Sequence, residues 1–363
     1  MFIYERYILK KLVVVFVLTV LFFTAILFVF NIFRIARHLA AGLQFSLVLR
    51  LFVYLIPSLL GFSIPFGSLV ACLLVYGRLS AQNEILALRV SGVSLYRTAS
   101  AMAMLGLGTF LASLLVFGVV SPRARYAVRK LRTELGTINP LFLFEPGETT
   151  RISDYIFSMR RKDGNRLYDI SIVHVDKERV TMRIDAQKGT MTHNPDSGTI
   201  SLKLEKVDSL MRKRGGSEVW EMPAEVMEIE FDLASALQKF ERKKEEDDMT
   251  FRELLARVRI AKETGEDAIA YLTEFHKRLV FSFACLSFAM IGAPLGMRIH
   301  RGEKTVGAAV GIALAMSFYT VVMFAERLKS SSHLLPQIVM WSPNVVLVLL
   351  GILFFRKIQR GLR

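Results

Sequence analysis

The chain has 363 residues, 53% of them hydrophobic, a formal net charge of +15 and a mean hydropathy of +0.41. A soluble domain this hydrophobic would precipitate, and a disordered chain does not carry so many branched and aromatic residues. The two cysteines, Cys72 and Cys285, both lie in apolar stretches and offer no disulfide framework. The composition therefore excludes a soluble globular domain and a disordered chain, and it indicates a membrane protein.

Six apolar stretches are long enough to cross a membrane as helices, since about 20 residues span roughly 30 Å of hydrocarbon. They are residues 12–33, 51–76, 99–120, 279–297, 306–325 and 336–355. The first is too long for the apolar part of a cleavable signal peptide. We therefore predict a membrane α-helical fold with six transmembrane helices. The predicted domains are residues 1–120 with three helices, an insertion at 121–274, and residues 275–363 with the other three.

Lys and Arg are distributed unevenly between the two sides of this arrangement. The termini and the loops on their side carry Arg6, Lys10, Lys11, Arg78, Arg89, Arg97, Arg298, Arg301, Lys304, Arg356, Lys357, Arg360 and Arg363. The two short loops on the other side carry Arg34, Arg37, Arg50, Arg327 and Lys329. By the positive-inside rule, both termini are predicted in the cytoplasm and the insertion outside. The insertion is nearly neutral, so the positive charge indicates topology and no nucleic-acid partner.

The loop between the second and third stretches, residues 77–94, has the pattern of a short cytoplasmic helix. We predict a helix at about residues 80–91, with Ser80 as its N-cap and Gly92 ending it in the left-handed conformation. An apolar pair and a charged pair project from different parts of this helix: Ile85 with Leu88, and Glu84 with Arg89. A short exposed helix is able to insert into a groove of a soluble partner. A plain surface connector has the same pattern, and these residues alone do not separate the two.

The insertion has the alternating pattern of short antiparallel strands. Apolar and polar residues alternate at 155–159, 169–175, 180–184, 200–205 and 226–231. Turn residues separate these segments at Asp163-Gly164, Asn194-Pro195-Asp196 and Gly215-Gly216. We predict a β-rich periplasmic domain resembling a jelly roll or a sandwich. Its apolar face serves either as an ordinary core or as a groove for an apolar ligand.

A charged segment and a short helix follow the strands. Residues 239–248 contain blocks of like charge, which are typical of a solvated linker. Thr250 and Glu253 then have the spacing of a capping box, in which each side chain satisfies a backbone N–H group of the other residue. We predict a helix at about residues 250–261 that leads into the fourth span.

No catalytic or metal-binding motif accompanies these elements. The sequence lacks a phosphate-binding loop and a nucleophile elbow, and its six histidines are scattered without metal-ligand spacing. The six apolar stretches also lack the ionisable residues that an ion-driven carrier buries. We therefore expect no enzyme activity, no cofactor and no metal site, and any transport must draw its energy from a partner.

Several motifs resemble those of one known family, the LptF/LptG (YjgP/YjgQ) permeases of lipopolysaccharide export. The most specific is the segment from Glu84 to Ser94, which is similar to the cytoplasmic coupling segment of these permeases. The others are Tyr4-Glu5-Arg6-Tyr7, Gly77-Arg78-Leu79-Ser80, Glu274-Phe275-His276-Lys277-Arg278, Gly292-Ala293-Pro294-Leu295-Gly296 and Trp341-Ser342-Pro343-Asn344. The resemblance covers the whole membrane part, and the junction at residues 77–80 is more similar to the F-type member than to the G-type.

The resemblance implies a non-catalytic permease of an ABC transporter in the inner membrane. Such a permease extracts lipopolysaccharide from the membrane and passes it to a periplasmic bridge. The implied partners are a cytoplasmic ABC ATPase dimer, a second homologous permease forming a heterodimer, and a periplasmic bridge protein with a jelly-roll fold. Two other classes stay open on the residues alone: a permease that exports lipoprotein or peptide, and an envelope scaffold that transports nothing.

The resemblance also implies roles for particular residues. The ATPase-coupling residues would be Glu84, Ile85, Leu88, Arg89 and Gly92. The substrate-binding residues would be Arg34, Arg37, Arg327 and Lys329, whose charges suit the phosphates of lipid A, although lipid headgroups would attract them equally. A stripe of small residues, Gly307, Gly311 and Ala315, allows a helix to approach closely, either within the chain or, as the resemblance favours, in the partner permease.

Overall fold

The computed structural model describes residues 3–40, 45–138, 147, 149–152, 155–176, 179–194, 199–212, 219–232, 244–298, 304–328 and 336–361. The chain divides into two compact units. The first, helical unit contains Met1–Leu39, Gln44–Arg125 and Glu246–Arg363, and the second contains Ala40–Leu43 and Tyr126–Glu245.

The helical unit confirms the six predicted spans. The helices are α1 Ile3–Ala40, α2 Phe45–Ala81, α3 Glu84–Val90, α4 Leu95–Leu115, α5 Ser121–Ile138, α6 Phe251–Thr264, α7 Ile269–Arg298, α8 Lys304–Arg327 and α9 Pro336–Gly361. A π-helical turn, Val116–Val120, joins α4 to α5. Within the described part of the chain, six stretches are long and apolar enough to cross a membrane: α1, α2, α4 with the beginning of α5, α7, α8 and α9. Most of these helices extend past their apolar stretches. Long cationic side chains near the helix ends are able to reach the membrane surface.

α2 and α7 pack against each other at the centre of the helical unit. A Cβ atom built on Gly296 would lie 2.5 Å from the Leu73 carbonyl oxygen, and one on Gly292 would lie 2.8 Å from the Leu69 carbonyl oxygen. The two backbones therefore touch, as small residues permit in membrane helices. The Ser68 hydroxyl also donates to the Cys285 carbonyl at 3.0 Å.

The small-residue stripe of α8 lies inside this packing. A Cβ atom on Gly311 would lie 3.3 Å from Cδ1 of Leu73 on α2, and Ala315 is buried in the chain's own core. Of the two alternatives for this stripe, these contacts favour packing within the chain for Gly311 and Ala315. The physical reason is that α2 already occupies the close approach that the small residues allow. The surroundings of Gly307 lie outside the described side chains.

The second unit contains one antiparallel sheet. Its strands are β1 Thr149–Ile152, β2 Tyr155–Asp163, β3 Arg166–Asp176, β4 Arg179–Asn194, β5 Thr199–Arg212 and β6 Val219–Asp232. Each strand pairs with its neighbours in sequence, which is the order of a meander. The β-rich insertion and all five predicted strands are confirmed, and β1 was missed. The described strands form one continuous sheet, without the separate second sheet that a sandwich requires.

The sheet has one apolar face, which forms the core of this unit. Ile172 pairs with Ile184 across β3 and β4, and both are buried together with Leu167, Leu202 and Leu204. The turn at Asp163-Gly164 is confirmed, because Gly164 has φ +56° between β2 and β3. The other two predicted turns fall mostly or wholly outside the described residues.

The capping box before α6 is confirmed. The Thr250 backbone N–H donates to Glu253 Oε2 at 2.7 Å, and the Glu253 N–H donates to the Thr250 hydroxyl. α6 ends at Gly265, which has φ +72°. The prediction of a solvated linker is wrong for Glu246–Asp248, because these residues form a 3-10 turn. Asp248 is buried there, and the ion pairs of Asp247 explain why this acidic stretch is held against the helices. Residues 239–243 lie outside the described part.

Candidate functional site

The predicted coupling helix begins four residues later than the sequence pattern indicated. α2 continues through Ala81, and α3 starts at Glu84 after Asn83, which has a left-handed φ of 58°. Ser80 is therefore not the N-cap. Its hydroxyl instead donates to the Met297 carbonyl at 2.8 Å. Met297 lies in the last turn of α7, where carbonyl groups lack partners within their own helix, and this contact holds Ser80 in α2.

The end of α3 is as predicted. Gly92 has φ +83°. Its N–H group donates to the Arg89 carbonyl at 2.9 Å, and the Val93 N–H group donates to the Leu88 carbonyl at 2.9 Å. This pair of bonds is a Schellman motif, which ends a helix sharply and needs glycine at the left-handed position. The short helix therefore has a defined C-terminal end.

Glu84 contacts the start of α1. Its Oε1 atom lies 3.3 Å from Lys11 Nζ, and its Oε2 atom accepts a bond from the Tyr7 hydroxyl at 3.3 Å. The Lys11 ammonium also lies 4.1 Å from the centre of the Tyr7 ring. Both carboxylate oxygens are thus used within the chain, and they attach α3 to α1.

The apolar residues of α3 are arranged differently from the prediction. Ile85 is only 7% exposed and packs in the chain's own core with Ile8 and Leu12, while Leu88 is half-buried. Leu86 is 52% exposed and Val90 is 83% exposed. The outward apolar pair is therefore Leu86 and Val90. In this chain the start of α1 covers Ile85, one of the predicted pair of Ile85 and Leu88, and which residues contact a partner stays a prediction.

The predicted substrate cations are described only in part. Arg34 and Arg37 lie near the C-terminal end of α1, three residues apart and so on one face, but their side chains lie outside the described part. Arg327 is the last residue of α8 and is exposed. Lys329 is also outside the described residues.

Sequence analysis missed a group of charges between the helices, some buried and some partly exposed. This charge cluster consists of Arg125, Asp247, Glu274, Lys277, Arg278 and Glu326. Arg278 is only 3% exposed and donates to Glu274 Oε1 at 2.7 Å. Its other donors reach four backbone carbonyl groups, those of Phe117, Met249, Glu246 and Asp247. One guanidinium therefore joins the π-helical turn, the 3-10 turn and α7.

Lys277 contacts all three carboxylates of the charge cluster. It pairs with Glu326 of α8 at 3.0 Å, with Asp247 at 3.6 Å and with Glu274. Arg125 lies 3.2 Å from Asp247. Burial acts to raise the pKa of Asp247, but the charges of Lys277 and Arg125 outweigh it and lower the pKa to about 2. The cluster contains three cations and three anions, so it carries no net charge.

A cavity of about 200 Å³ lies beside the charge cluster. The cluster forms one wall, and Phe62, Phe117 and Phe281 are among the apolar residues of the other. Next to Phe117, a Cβ atom on Gly118 would lie 2.4 Å from Cδ2 of Phe251, so α6 presses against the π-helical turn. π-helical turns are often found at functional sites.

A local signal for this cluster was present in the sequence. Glu274, Lys277 and Arg278 are spaced i, i+3 and i+4 just before an apolar stretch, and on a helix this spacing places all three on one face. Their partners were not visible, because Arg125, Asp247 and Glu326 lie far away in sequence.

Among the described residues, six helices are long and apolar enough to cross a membrane, and an antiparallel sheet is inserted between them in sequence, which together define a polytopic membrane protein. The chain matches the family described as lipopolysaccharide export system permease LptF/LptG over residues 6–357. It therefore belongs to this family of non-catalytic transmembrane subunits, whose members work within the lipopolysaccharide export ABC transporter. No curated protein matches the chain.

Proposed function

We propose that the chain is the F-type permease, with both termini in the cytoplasm and the β unit in the periplasm. The Gly77-Arg78-Leu79-Ser80 junction supports the F-type assignment, and the excess of Lys and Arg near the termini supports the orientation. The proposed domains are residues 1–120, 121–274 and 275–363. The proposed partners are a cytoplasmic ATPase dimer, a second homologous permease and a periplasmic bridge protein with a jelly-roll fold.

In this proposal α3 is the element that binds the ATPase. The observation that carries it is the exposure of Leu86 and Val90, which are four residues apart and share one face of α3. Exposed aliphatic residues on a short surface helix suit insertion into an apolar groove. Arg89 adds a polar contact and Gly92 ends the helix. Glu84 acts by holding α3 against Lys11 and Tyr7 of α1.

The double variant Leu86→Ser with Val90→Ser is expected to lose binding of the ATPase while still inserting into the membrane. Truncating two central apolar contacts of an interface costs about 2 kcal/mol or more, which corresponds to a loss in affinity of about thirtyfold. The measurement is the amount of ATPase that co-purifies with the permease at matched permease levels.

Leu255→Ser is a matched control for this variant, because Leu255 of α6 is also 52% exposed but lies on another helix. It is expected to leave co-purification unchanged. Equal ATPase recovery with the double variant and with the control would contradict the assignment of α3 as the docking helix.

We also propose that Arg34 and Arg37, with Arg327 and Lys329, bind the phosphates of lipopolysaccharide. The supporting observations are that Arg34 and Arg37 share a face of α1, that Arg327 is exposed at the end of α8, and that all four charges oppose the topological bias. The guanidinium group binds phosphate through two parallel hydrogen bonds, which gives arginine an advantage over lysine there.

Arg34→Glu and Arg37→Glu are each expected to reduce crosslinking to lipopolysaccharide about tenfold, because attraction becomes repulsion over a few ångströms. Arg→Lys at either position is expected to have a milder effect, since it keeps the charge and loses the two-pronged contact. The measurement is photocrosslinking at matched protein levels. Arg50→Glu, an exposed cation at the start of α2, is the control. The same yields for wild type, both Glu variants and the control would identify these arginines as headgroup anchors.

A further inference from the structure

α9 exposes one continuous apolar face along its length. Ile338, Val345, Leu349 and Leu353 are each more than half exposed, and their positions in the sequence place them along one side of the helix. α9 is long and apolar enough to cross a membrane, so this side is open to the acyl chains of the surrounding lipid. We call these four residues the lipid-facing stripe of α9.

Two arginines continue this stripe at the C-terminal end of α9. Arg356 and Arg360 are exposed. They follow Leu349 and Leu353 by seven residues each, which is two helical turns, so all four side chains lie on the same side of the helix. Lys357 is exposed beside them. None of these three cations pairs with an acidic side chain in the described part of the chain. We call the three cations the basic end of α9.

The helices that pack against the basic end of α9 offer no negative charge to balance it. α4 and α9 contain no Asp or Glu, and α7 contains none after Glu274. The last residue of α7, Arg298, adds a further cation, which lies 5.3 Å from the centre of the Phe354 ring. The described acids near the starts of α1 and α3 are Glu5 and Glu84. The basic end of α9 is therefore an uncompensated positive surface on its own helix and its neighbours α4 and α7.

α4 holds the end of α9 from another side. The Tyr96 hydroxyl donates to Gln359 Oε1 at 3.1 Å, and the centres of the Tyr96 and Phe355 rings lie 5.7 Å apart. Phe355 and Gln359 are four residues apart and share the side of α9 that faces α4, which is not the side of Arg356 and Arg360. The arginines are therefore carried by a helix end that is fixed in place, and such preorganisation lowers the cost of binding a ligand.

A ligand that matches both parts of this surface has a negative head group attached to apolar chains. Guanidinium groups bind phosphate through two parallel hydrogen bonds, and clusters of cations directly beside a membrane span attract anionic lipids. A free phosphate ion would contact the arginines and leave the lipid-facing stripe unused. A zwitterionic phospholipid carries an ammonium group, which the basic end repels. The charge and the apolar stripe together therefore favour a phospholipid with a net negative head group.

We propose that the lipid-facing stripe and the basic end of α9 together bind one anionic phospholipid of the phosphatidylglycerol class. Its phosphate lies at Arg356 and Arg360, and its acyl chains lie along the stripe. Lys357 adds attraction from the adjacent side of the helix. The site is formed by one helix of this chain, so it does not depend on the F-type assignment, on the proposed ATPase docking or on the proposed lipopolysaccharide residues.

Native mass spectrometry of the full chain in a non-ionic detergent tests this site, because it counts the phospholipid molecules bound to each protein. The chain is titrated with phosphatidylglycerol and, separately, with phosphatidylcholine that carries the same acyl chains. The first molecule of phosphatidylglycerol is expected to bind about fivefold more tightly than phosphatidylcholine, because only its head group has a net negative charge.

The double variant Arg356→Gln with Arg360→Gln is expected to bind phosphatidylglycerol about tenfold more weakly and to lose the preference over phosphatidylcholine. Arg356→Lys with Arg360→Lys keeps both charges but loses the two-pronged contact, so an intermediate affinity is expected. Both positions are exposed, and the melting temperature of each variant in the same detergent is expected to equal that of the unchanged chain.

Arg6→Gln with Lys10→Gln is the matched control. These cations are also exposed and four residues apart, at the start of α1, but Glu84 lies against the neighbouring Tyr7 and Lys11 and reduces the attraction for an anion there. This control is expected to change the affinity for phosphatidylglycerol less than about twofold.

Three results would overturn the lipid site. The first is an unchanged affinity for phosphatidylglycerol in the variant that lacks both arginines. The second is an equal loss of affinity in this variant and in the control, which would show that net charge alone attracts the lipid. The third is displacement of the lipid by inorganic phosphate but not by sodium chloride at the same ionic strength, which would show a plain phosphate site. A loss of affinity that accompanies a lowered melting temperature also counts against the site.

Discussion

Arg278→Met is expected to destabilise the helical unit by about 3–5 kcal/mol, the usual cost of removing one partner from a buried ion pair. Arg278 pairs with Glu274 and donates to four backbone carbonyl groups. Without the guanidinium, these groups stay buried with fewer donors, and the 3-10 turn loses its attachment to α7. The measurement is thermal unfolding of the purified chain, together with the fraction that elutes as a single species.

Two further variants control this prediction. Arg257→Met removes an exposed arginine of α6 and is expected to change stability by less than about 0.5 kcal/mol. Arg278→Lys keeps the charge but loses the fork of donors, so an intermediate effect is expected. A melting temperature for Arg278→Met equal to that of Arg257→Met would show that the cluster does not stabilise the fold.

Gly296→Val is expected to prevent α2 and α7 from packing at their observed distance and to cost about 3 kcal/mol or more, at the upper end of overpacking effects. The obstacle is backbone, because a Cβ atom at Gly296 would lie 2.5 Å from the Leu73 carbonyl oxygen and 3.0 Å from the Gly77 nitrogen. Neither atom is able to rotate away as a side chain would. The measurement is the yield of folded protein and its melting temperature.

The chain supplies matched glycines for comparison. A Cβ atom at Gly108 in α4 meets nothing within 4 Å, so Gly108→Val is expected to be close to neutral. At Gly311 the contact is the flexible end of Leu73 at 3.3 Å, so Gly311→Ala is expected to have a small effect. Equal stability of Gly296→Val and Gly108→Val would contradict the close approach of α2 and α7.

The candidate site was predictable only where it depends on local pattern. The α3 segment was recognisable from its motif, and Gly92 was correctly predicted to end it. Ser80 was assigned wrongly because a serine at the start of a helix pattern favours an N-cap, whereas here its hydroxyl has a partner in α7. Ile85 and Leu88 were the expected apolar contacts, but α1 covers Ile85. Helical spacing shows which residues share a face and does not show what lies opposite that face.

The sequence by itself determined the six spans, the inserted antiparallel strands and the capping box of α6. Each of these depends on a property of one segment: the length of an apolar run against the membrane thickness, alternation along a strand, or two side chains three residues apart. These signals do not involve any other part of the chain.

Only the tertiary structure decided which side chains meet. Lys11 and Glu84, Arg125 and Asp247, and Lys277 and Glu326 are pairs separated by long stretches of sequence. The same acidic residues in isolation are typical of a solvated linker, and only the tertiary structure placed Asp247 beside Arg125 of α5 and Lys277 of α7. The physical reason is that burial and charge pairing depend on the distance between elements, which the local pattern of any one element does not contain.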